Sequence, residues 1–256
     1  MTSETSGKNT LTIDIGGSGI KATVLDSSGE MLVPRNRVST PDHSHPENVL
    51  SAIEEVIEGF PHFERVSVGF PGFVKKGHVK TAPNLDTEDW EDFPLAQEIA
   101  NRLQKPVRLL NDADLLGLGV IRGEGLELMI TLGTGFGTAF YMDGHLMPHL
   151  ELSHHPIKGK QDYDHYVGKA AFKEIGPKKW NKRMKRILKI MQIIFNYDTL
   201  FIGGGNSDKL SFELDNNIRI VSNREGIRGG VGVWKLEEDD LCIRTVHPEI
   251  IGKTTN

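Results

Sequence analysis

The alternation of apolar and polar residues predicts eight strands with helices between them. Alternating positions, or short apolar runs bounded by turn residues, predict strands over residues 11–15, 20–25, 65–70, 107–110, 128–132, 137–142, 199–202 and 218–221. Apolar residues at helical spacing predict a helix from Pro46 to Gly59, and a second that begins with Asp92 as N-cap and stops at Pro106. Strands interleaved with helices are typical of an α/β fold.

Two glycine-rich hairpins indicate that this α/β unit is duplicated. With a constant offset of 117 residues, IDIG at residues 13–16 lies over ITLG at residues 130–133, and Ala22 lies over Ala139. We therefore expect two lobes that each present a glycine loop to a shared cleft. The expected domains are a disordered leader (residues 1–10), an N-terminal α/β lobe (residues 11–112) and a C-terminal α/β lobe (residues 113–256) whose last helix can pack back on the first lobe.

The composition excludes several classes of protein. A chain of 256 residues with 38% hydrophobic and 25% charged residues, and no apolar run of about 18 residues, is neither fibrous, disordered nor membrane-spanning. The net charge of −5 argues against a protein whose whole surface binds nucleic acid, although it is compatible with a local basic patch. Because Cys242 is the only cysteine and residues 1–10 lack the apolar segment of a secretory signal, we expect a cytoplasmic protein.

Many of the 28 glycines cluster in loops that follow strands. In the first loop, Gly16, Gly17 and Ser18 can bring backbone N–H groups close to an anion, and Lys21 can complete the cradle. The sequence TLGTGFGT at residues 131–138 and GGGNS at residues 203–207 repeat this chemistry. The alternative is that these loops are tight turns without a ligand. Neither hairpin loop is a dinucleotide fingerprint or a P-loop, because a strand and not a helix follows it.

Asn111 and Asp112 follow a predicted strand, at the place where α/β sheets carry their sites. Phosphoryl transfer to an alcohol needs a base that accepts the hydroxyl proton, and Asp112 has the chemistry for that role. The alternative is that Asp112 or Asp114 only caps the helix predicted over residues 113–121.

Four histidines and one acid crowd a short segment: His145, His149, Glu151, His154 and His155. A zinc site is disfavoured, because Pro148 disrupts the helix that would align His145 with His149 and no cysteine is near. We expect Glu151 and His154 to hydrogen-bond a polyhydroxylated ligand and the other histidines to lie on the surface.

Seven ordered motifs over residues 12–233 resemble the ROK sugar kinases, and specifically their polyphosphate glucokinase branch. The motifs are IDIGGSGIKATVLD, GFPGFV, APNLD, LLNDADLLGLG, ITLGTGFGTAF, ELSHHP and FIGGGNS. The resemblance implies an actin-like (ribonuclease H-like) fold of two α/β lobes with the active site between them, commonly as a homodimer. Many ROK proteins carry a cysteine-rich zinc segment, which residues 157–173 lack, so structural zinc is not expected. The polar leader cannot supply the DNA-binding helices of ROK repressors.

The resemblance also implies roles for individual residues. Asp112 would be the general base toward the 6-hydroxyl of glucose, and the glucose ligands would be Gly72, Asn84, Asn111, Asp112, Glu151 and His154. Phosphate-binding residues would be Asp14, Gly16, Gly17, Ser18, Lys21, Thr131, Gly133, Thr134 and Gly135. Mg²⁺ would lie near Asp14 and be held through the phosphates. In members that use ATP, Gly204 and Gly205 would contact the adenosine.

A basic segment bears on the phosphoryl donor. Residues 158–189 hold eleven basic and three acidic residues, a local net charge of +8. Such a segment attracts a polyanion such as inorganic polyphosphate, whereas ATP needs no patch of this length. The alternative is a solvated helix face around Met184, Ile187, Leu188 and Met191. We predict phosphoryl transfer from polyphosphate, with ATP as a further donor, to glucose. The alternatives are an ATP-dependent kinase for another hexose, such as mannose or an N-acetylhexosamine, and a non-catalytic sugar sensor.

Overall fold

The computed structural model describes residues 7–85, 88–239 and 242–249, which form two compact units. The first unit comprises Met1–Asp112 and Gly230–Asn256, and the second comprises Ala113–Gly229. Residues 1–6 of the expected leader lie outside the described residues. The leader's last two residues are ordered, because the Asn9 amide donates to the Glu64 carboxylate at 2.6 Å and Thr10 is a buried residue of the first strand.

The first unit is a five-stranded sheet with a helix packed at each end. Its strands are β1 (Thr10–Gly16), β2 (Gly19–Leu25), β3 (Asn36–Val38), β4 (Arg65–Phe70), β5 (Val74–Lys75), β6 (His78–Val79) and β7 (Val107–Asn111). Five of these strands form the sheet in the order β3-β2-β1-β4-β7, with β4 parallel to β1 and β7 parallel to β4. The other two, β5 and β6, pair with each other as a separate hairpin. Its helices are α1 (Pro46–Val56), which packs on β2 and β3, and α2 (Leu95–Leu103), which packs on β7.

The start of α2 differs from the prediction. Asp92 was expected to be the N-cap, but Pro94 occupies that position and Asp92 has a positive φ of 57°. The Asp92 carboxylate does not cap the helix but forms an ion pair with Lys80, which directly follows β6. At the other end, Gln104 takes the left-handed conformation after Leu103 and ends the helix before Pro106, as predicted.

The second unit is also built on a five-stranded sheet. Its strands are β8 (Leu126–Leu132), β9 (Phe136–Met142), β10 (His145–Leu146), β11 (Pro156–Lys158), β12 (Gln161–Asp162), β13 (Thr199–Gly203) and β14 (Ile218–Ile220). Five of these strands form the sheet in the order β10-β9-β8-β13-β14, and β11 and β12 pair with each other separately. Its helices are α3 (Asp112–Gly117), α4 (Tyr163–Val167), α5 (Lys169–Phe195), α6 (Asn223–Gly226) and α7 (Gly229–Gly232); α3 and α7 span the two unit boundaries.

The two sheets share one topology, but their strand pairings show that the sequence repeat shifts by one residue. In both, an antiparallel hairpin is flanked by a short antiparallel strand on one side and two parallel strands on the other. However, Ile13 pairs with Ala22 whereas Ile130 pairs with Thr138. The predicted constant offset therefore holds for β1 and β8 but is one residue too long for β2 and β9, because the paired residues Ile13 and Ala22 are nine positions apart whereas Ile130 and Thr138 are eight apart.

Helix α5 supplies most of the apolar cover for the second sheet. It buries Trp180, Met184, Ile187 and Met191, and is kinked where Gly176 has a φ of 74° before Pro177. Among the described residues, no helix combines the length and the apolar composition needed to cross a bilayer. Helices α6 and α7 are single short turns, and a side chain at Gly229 would overlap the Leu115 carbonyl oxygen.

Candidate functional site

The first glycine loop joins β1 to β2 and is bordered by a cluster of charges. Asp14 on β1 lies directly opposite Lys21 on β2. The Asp14 Oδ2 atom accepts a hydrogen bond from Arg35 Nη2 at 2.7 Å and from Lys21 Nζ at 3.3 Å. The Asp14 side chain is 36% exposed, so this cluster of one acid and two bases faces solvent.

The backbone of this loop is fastened from neighbouring segments. Thr40 Oγ1 donates to the Gly16 carbonyl at 2.5 Å, and Arg37 Nη2 donates to the Ser18 carbonyl at 2.8 Å. A Cβ at Gly17 would lie 3.0 Å from the Asn84 carbonyl oxygen, so the structure brings the predicted sugar ligand Asn84 beside the predicted phosphate loop. Sequence reasoning missed Arg35 and Arg37; their spacing of two in PRNRV, on a strand next to the hairpin, was the available signal.

Asn111 and Asp112 lie at the carboxyl end of β7, where the parallel strand β4 also ends. Phe70, the last residue of β4, is in register with Asn111. The buried Asn111 amide donates to the Gly72 carbonyl at 3.1 Å and lies 3.5 Å from the Phe70 carbonyl oxygen. Gly72 and Asn111 are thus brought together as predicted, and Asp112 follows as the first residue of α3.

In the second unit the structure brings the second and third glycine loops together. The Asn206 amide N–H donates to the Leu132 carbonyl at 2.9 Å, and the Asn206 side chain donates to the Gly133 carbonyl at 3.4 Å. Gly204 has a φ of 87°, and a Cβ there would lie 2.5 Å from the Leu132 carbonyl oxygen. By contrast, a Cβ at Gly133 or Gly205 would meet no atom within 4 Å.

A half-buried acid supports the second loop. Asp164 Oδ1 accepts from the Phe136 amide at 2.6 Å, and a Cβ at Gly135 would lie 2.5 Å from this oxygen. Burial raises the pKa of the Asp164 carboxyl. The Lys169 amide at the start of α5 donates to the carbonyls of Gly133 at 3.1 Å and Thr134 at 3.2 Å. The loop is therefore shaped by contacts from α4 and α5, which sequence reasoning did not identify.

Glu151 is held by a buried histidine that was expected on the surface. His149 Nδ1 lies 3.0 Å from Asp114 Oδ2, its Nε2 lies 3.2 Å from Glu151 Oε1, and its side chain is only 7% exposed. The prediction for His149 was therefore wrong, because its partner Asp114 is 35 residues away and invisible to local spacing. His154, 47% exposed, lies 3.6 Å from Glu151, so the two predicted sugar ligands are adjacent.

The electrostatics of this cluster follow from its contacts. Burial would lower the pKa of His149, but its hydrogen bonds to Asp114 and Glu151 raise it to about 10. Burial raises the pKa of Asp114. Burial would also raise the pKa of Glu151, but the His149 hydrogen bond lowers it, so Glu151 is an ionised hydrogen-bond acceptor at neutral pH. In the described ranges, no group of three or more His, Cys, Asp or Glu side chains is arranged to hold a metal ion.

The basic segment is largely a solvent-exposed surface. Ten of its eleven cationic residues are exposed: Lys158, Lys160, Lys169, Lys173, Lys178, Lys179, Lys182, Lys185, Arg186 and Lys189. The eleventh, Arg183, lies over the Tyr166 ring at 4.3 Å and donates to the Tyr166 carbonyl. None of the eleven forms an ion pair within the part of the chain that the structure describes.

Comparison with known proteins places the chain in a family. The profile of the ROK family matches residues 10–151. The polyphosphate glucokinase of Mycobacterium tuberculosis is 33% identical over 237 residues, which cover 87% of each chain. The crystal structure of an inorganic polyphosphate/ATP-glucomannokinase from Arthrobacter sp. strain KM is 32% identical, with a TM-score of 0.78 over 88% of this chain and 97% of that one.

A further solved structure supports the fold alone. The ROK family glucokinase from Streptomyces griseus, solved with glucose and AMPPNP, is 20% identical with a TM-score of 0.71, over 88% of this chain and 98% of that one. The expected α/β, actin-like fold is confirmed by these structural matches. The profile match and the identity across most of both chains establish that this chain belongs to the ROK family.

Proposed function

We propose that this protein transfers the terminal phosphoryl group of inorganic polyphosphate to the 6-hydroxyl of glucose, giving glucose 6-phosphate. The observation that carries the proposal is the position of Asp112 at the carboxyl end of β7, directly after Asn111, whose side-chain amide donates to the Gly72 carbonyl. The names of the Mycobacterium and Arthrobacter relatives support both the donor and the acceptor.

The proposed reaction uses Asp112 as general base. The Asp112 carboxylate accepts the proton of the 6-hydroxyl while the hydroxyl oxygen attacks the terminal phosphorus. The bond from that phosphorus to the bridging oxygen of the chain breaks, so the polyphosphate leaves one unit shorter. A positioned base of this kind accelerates the reaction about 10²–10⁴-fold.

We propose that glucose is held by hydrogen bonds to Gly72, Asn84, Asn111, Glu151 and His154. The Asn111 amide, held by the Gly72 carbonyl, has a fixed orientation for a sugar hydroxyl. Glu151 is held by His149 and is ionised, which suits it to accept hydroxyl hydrogen bonds. Asp112 completes the set.

We propose that the phosphates are bound by backbone N–H groups of the glycine loops. In the first loop these are Gly16, Gly17 and Ser18, with the Lys21 ammonium beside them. In the second and third loops they are Thr131, Gly133, Thr134, Gly135, Gly204 and Gly205. The open space at Gly133 and Gly205 supports close approach of a ligand, because no protein atom fills it.

Magnesium fits this arrangement as an ion carried by the phosphates. Mg²⁺ in phosphoryl-transfer enzymes binds one or two carboxylates together with substrate phosphates and waters. Asp14 supplies one partly exposed carboxylate, of which Oδ2 already accepts from Arg35 and Lys21, so the residues suit a shared ion better than an all-protein cage. When bound, Mg²⁺ would neutralise charge that develops on the transferred phosphoryl group.

The exposed cations along α5 support polyphosphate as the donor, because they can neutralise successive phosphates of a chain. The Arthrobacter relative is named for polyphosphate and ATP as donors and for glucose and mannose as acceptors. We therefore propose ATP as a second donor and mannose as a second acceptor. A homodimer, common in the family, is the proposed assembly, and light scattering of the purified protein tests it.

The central experiment is a coupled assay of glucose phosphorylation with polyphosphate and with ATP. Asp112→Asn is expected to lower kcat about 10²–10⁴-fold with both donors, because proton acceptance is common to both. Asp215→Asn, which removes an exposed carboxylate from the loop before β14, is the matched control and should retain kcat. Near-normal turnover of Asp112→Asn, or no turnover of the wild-type protein with either donor, would overturn the proposal.

The donor assignment has its own test. Replacing Lys178, Lys182 and Lys185 by Gln should lower kcat/KM for polyphosphate and leave kcat/KM for ATP unchanged. The salt slope of polyphosphate use should fall by about 2, since each lost phosphate contact removes about 0.7 from it. The surface control variant, with Lys8, Arg219 and Lys235 replaced by Gln, removes three exposed cations elsewhere. If the two variants behave alike, α5 does not carry the donor.

A further inference from the structure

A cavity in the first unit is lined by basic side chains that neither the glycine loops nor the sugar ligands include. Its volume is about 640 Å³, within the usual range of ligand sites. The basic residues that line it are Lys75, Lys76, His78, Lys80, Arg244 and His247. We propose that this cavity is a second anion site that binds a ligand carrying phosphate groups.

The charge of the lining is unbalanced. Asp92 is the acid that lines the cavity, and it forms ion pairs with Lys80 and, at 3.4 Å, with His78. Lys75, Lys76 and Arg244 have no such partner among the described residues. Three cations around a concave surface, with low-dielectric walls, concentrate a positive potential that favours an anion of high charge. Lysine ammonium and arginine guanidinium groups are the usual protein partners of phosphate.

Backbone hydrogen bonds hold two of the segments that line the cavity. The tip of the β5–β6 hairpin is held by α2, because the Ala96 amide donates to the Gly77 carbonyl at 3.0 Å. The segment that carries Arg244 and His247 is held by Val246, which exchanges two backbone hydrogen bonds with Val107 at 2.8 and 2.9 Å. A site built in this way loses little entropy when a ligand binds.

The hairpin tip also places a lysine where the backbone disfavours one. Lys76 and Gly77 form a two-residue turn with φ values of 53° and 83°. Asn, Asp and Gly are the residues that such turns favour, and a lysine there carries a conformational cost. Because the turn fixes the direction of the strand ends, Lys75 and Lys76 are presented together at the mouth of the cavity.

The side of the cavity that carries Arg244 and His247 is separate from the proposed site of phosphoryl transfer. It lies where Val246 bridges Val107, the first residue of β7, whereas Asn111 is the last. Four residues of strand separate these ends by roughly 13 Å. The ligand is therefore either a distant part of a polyphosphate chain or a separate phosphorylated sugar. Only the first of these sources rests on the proposed function; the anion site itself does not.

The test is a footprint of lysine reactivity on the wild-type chain. Brief acylation of amines, followed by mass spectrometry of peptides, reports Lys75 and Lys76 separately from the glycine loops and α5. Tripolyphosphate at about ten times its Kd should lower acylation of both lysines about tenfold, while the exposed Lys8 and Lys235 are unchanged. Glucose 6-phosphate is the second probe. Protection by tripolyphosphate alone identifies a polyanion site, protection by both identifies a general phosphate-ester site, and protection by neither overturns the proposal.

A variant makes the test independent of turnover. With Lys75, Lys76 and Arg244 replaced by Gln, calorimetric titration with tripolyphosphate should show one fewer bound anion per chain than the surface control variant. The kcat for glucose with ATP should be unchanged, because none of these residues belongs to the proposed catalytic set. Equal stoichiometry in the two variants would overturn the second site. Absence of turnover in every form would instead contradict the proposed function and leave the binding result standing.

Discussion

The two glycine hairpins have the same pairing topology but carry different chemistry. At matching positions of β1 and β8, the first hairpin has Asp14 and the second has Thr131. Asp14 lies opposite Lys21, whereas Thr131 lies opposite Gly137. The first loop is therefore bordered by an exposed ion cluster, and the second by a hydroxyl and backbone groups.

The ion clusters of the two units differ in burial as well. In the first unit, Asp14 and its two bases are partly exposed at the loop. In the second, His149 lies between Asp114 and Glu151 and is almost fully buried. Exposed charges are screened and free to exchange partners with a ligand, whereas buried charges fix geometry at a large desolvation cost. The exposed cluster of the first copy is thus suited to exchange partners, whereas the buried cluster of the second fixes geometry.

The largest expected effect separates the two hairpins by activity. Asp14→Asn should lower kcat about 10²–10³-fold, because it removes a preorganised charge near the proposed phosphate and magnesium position. Thr131→Val removes one neutral hydroxyl and should cost about tenfold or less. Both are measured by the coupled assay with each donor, and Asp215→Asn is the control. Equal losses of kcat for the two variants would mean that Asp14 and Thr131 contribute equally to catalysis.

Local alternation was enough to predict the strands that border the site. The strand over residues 65–70 was predicted with its exact bounds, and the last residue of β7 was missed by one. Both strands are buried over almost their whole length, and strands buried on both faces read as short apolar runs. The one-residue shift between β2 and β9 could not be predicted, since a constant sequence offset does not reveal which residues of a hairpin pair.

Contacts between distant residues account for what the sequence did not reveal. His149 was assigned to the surface because Asp114, 35 residues earlier, decides its burial. Asp92 was assigned as a cap because Lys80, the partner that takes its carboxylate, lies outside the helix pattern. Arg244 joins Lys76 in one cavity because Val246 bridges Val107 and lies against Gly77. In each case tertiary pairing outweighed a local preference.

The second prediction tests the buried cluster. His149→Gln should lower the free energy of unfolding by about 3 kcal/mol, because it leaves two carboxylates without their cation. It should also raise KM for glucose more than it lowers kcat, since Glu151 loses its support. Chemical denaturation and steady-state kinetics measure the two effects. His145→Gln, at an exposed position, is the matched control.

The raised pKa of His149 sets the direction in which stability should change with pH. Because the folded pKa of His149 is raised from 6.5 to about 10, its contribution is fully present below pH 6.5 and is lost as the pH rises toward 10. Wild-type stability should fall over this window by at most about 1.4 kcal/mol per pH unit. Asp114, with its raised pKa, contributes in the same direction from lower pH. A His149→Gln profile parallel to wild type would contradict the assignment.

The third prediction distinguishes glycines needed for packing from glycines needed for ligand approach. Gly135→Ala should cost about 1–3 kcal/mol of stability, because its Cβ would displace Asp164 from the Phe136 amide. Gly133→Ala should change stability by less than about 0.5 kcal/mol, since its Cβ meets no protein atom. It should nevertheless raise the donor KM about tenfold. A stable Gly133→Ala with normal KM would remove this loop from the proposed phosphate site.

The smallest expected effect concerns the exposed cluster. Arg35→Gln removes the shorter of the two ion pairs of Asp14, at 2.7 Å, and should lower stability by less than about 1 kcal/mol because both side chains are partly exposed. At about 1 M salt the difference from wild type should vanish, since the screening length falls to about 3 Å. Denaturation at low and high salt measures both values, with Lys235→Gln as control. A loss as large as that of His149→Gln, or one insensitive to salt, would show that the Asp14 cluster is held as rigidly as the buried one.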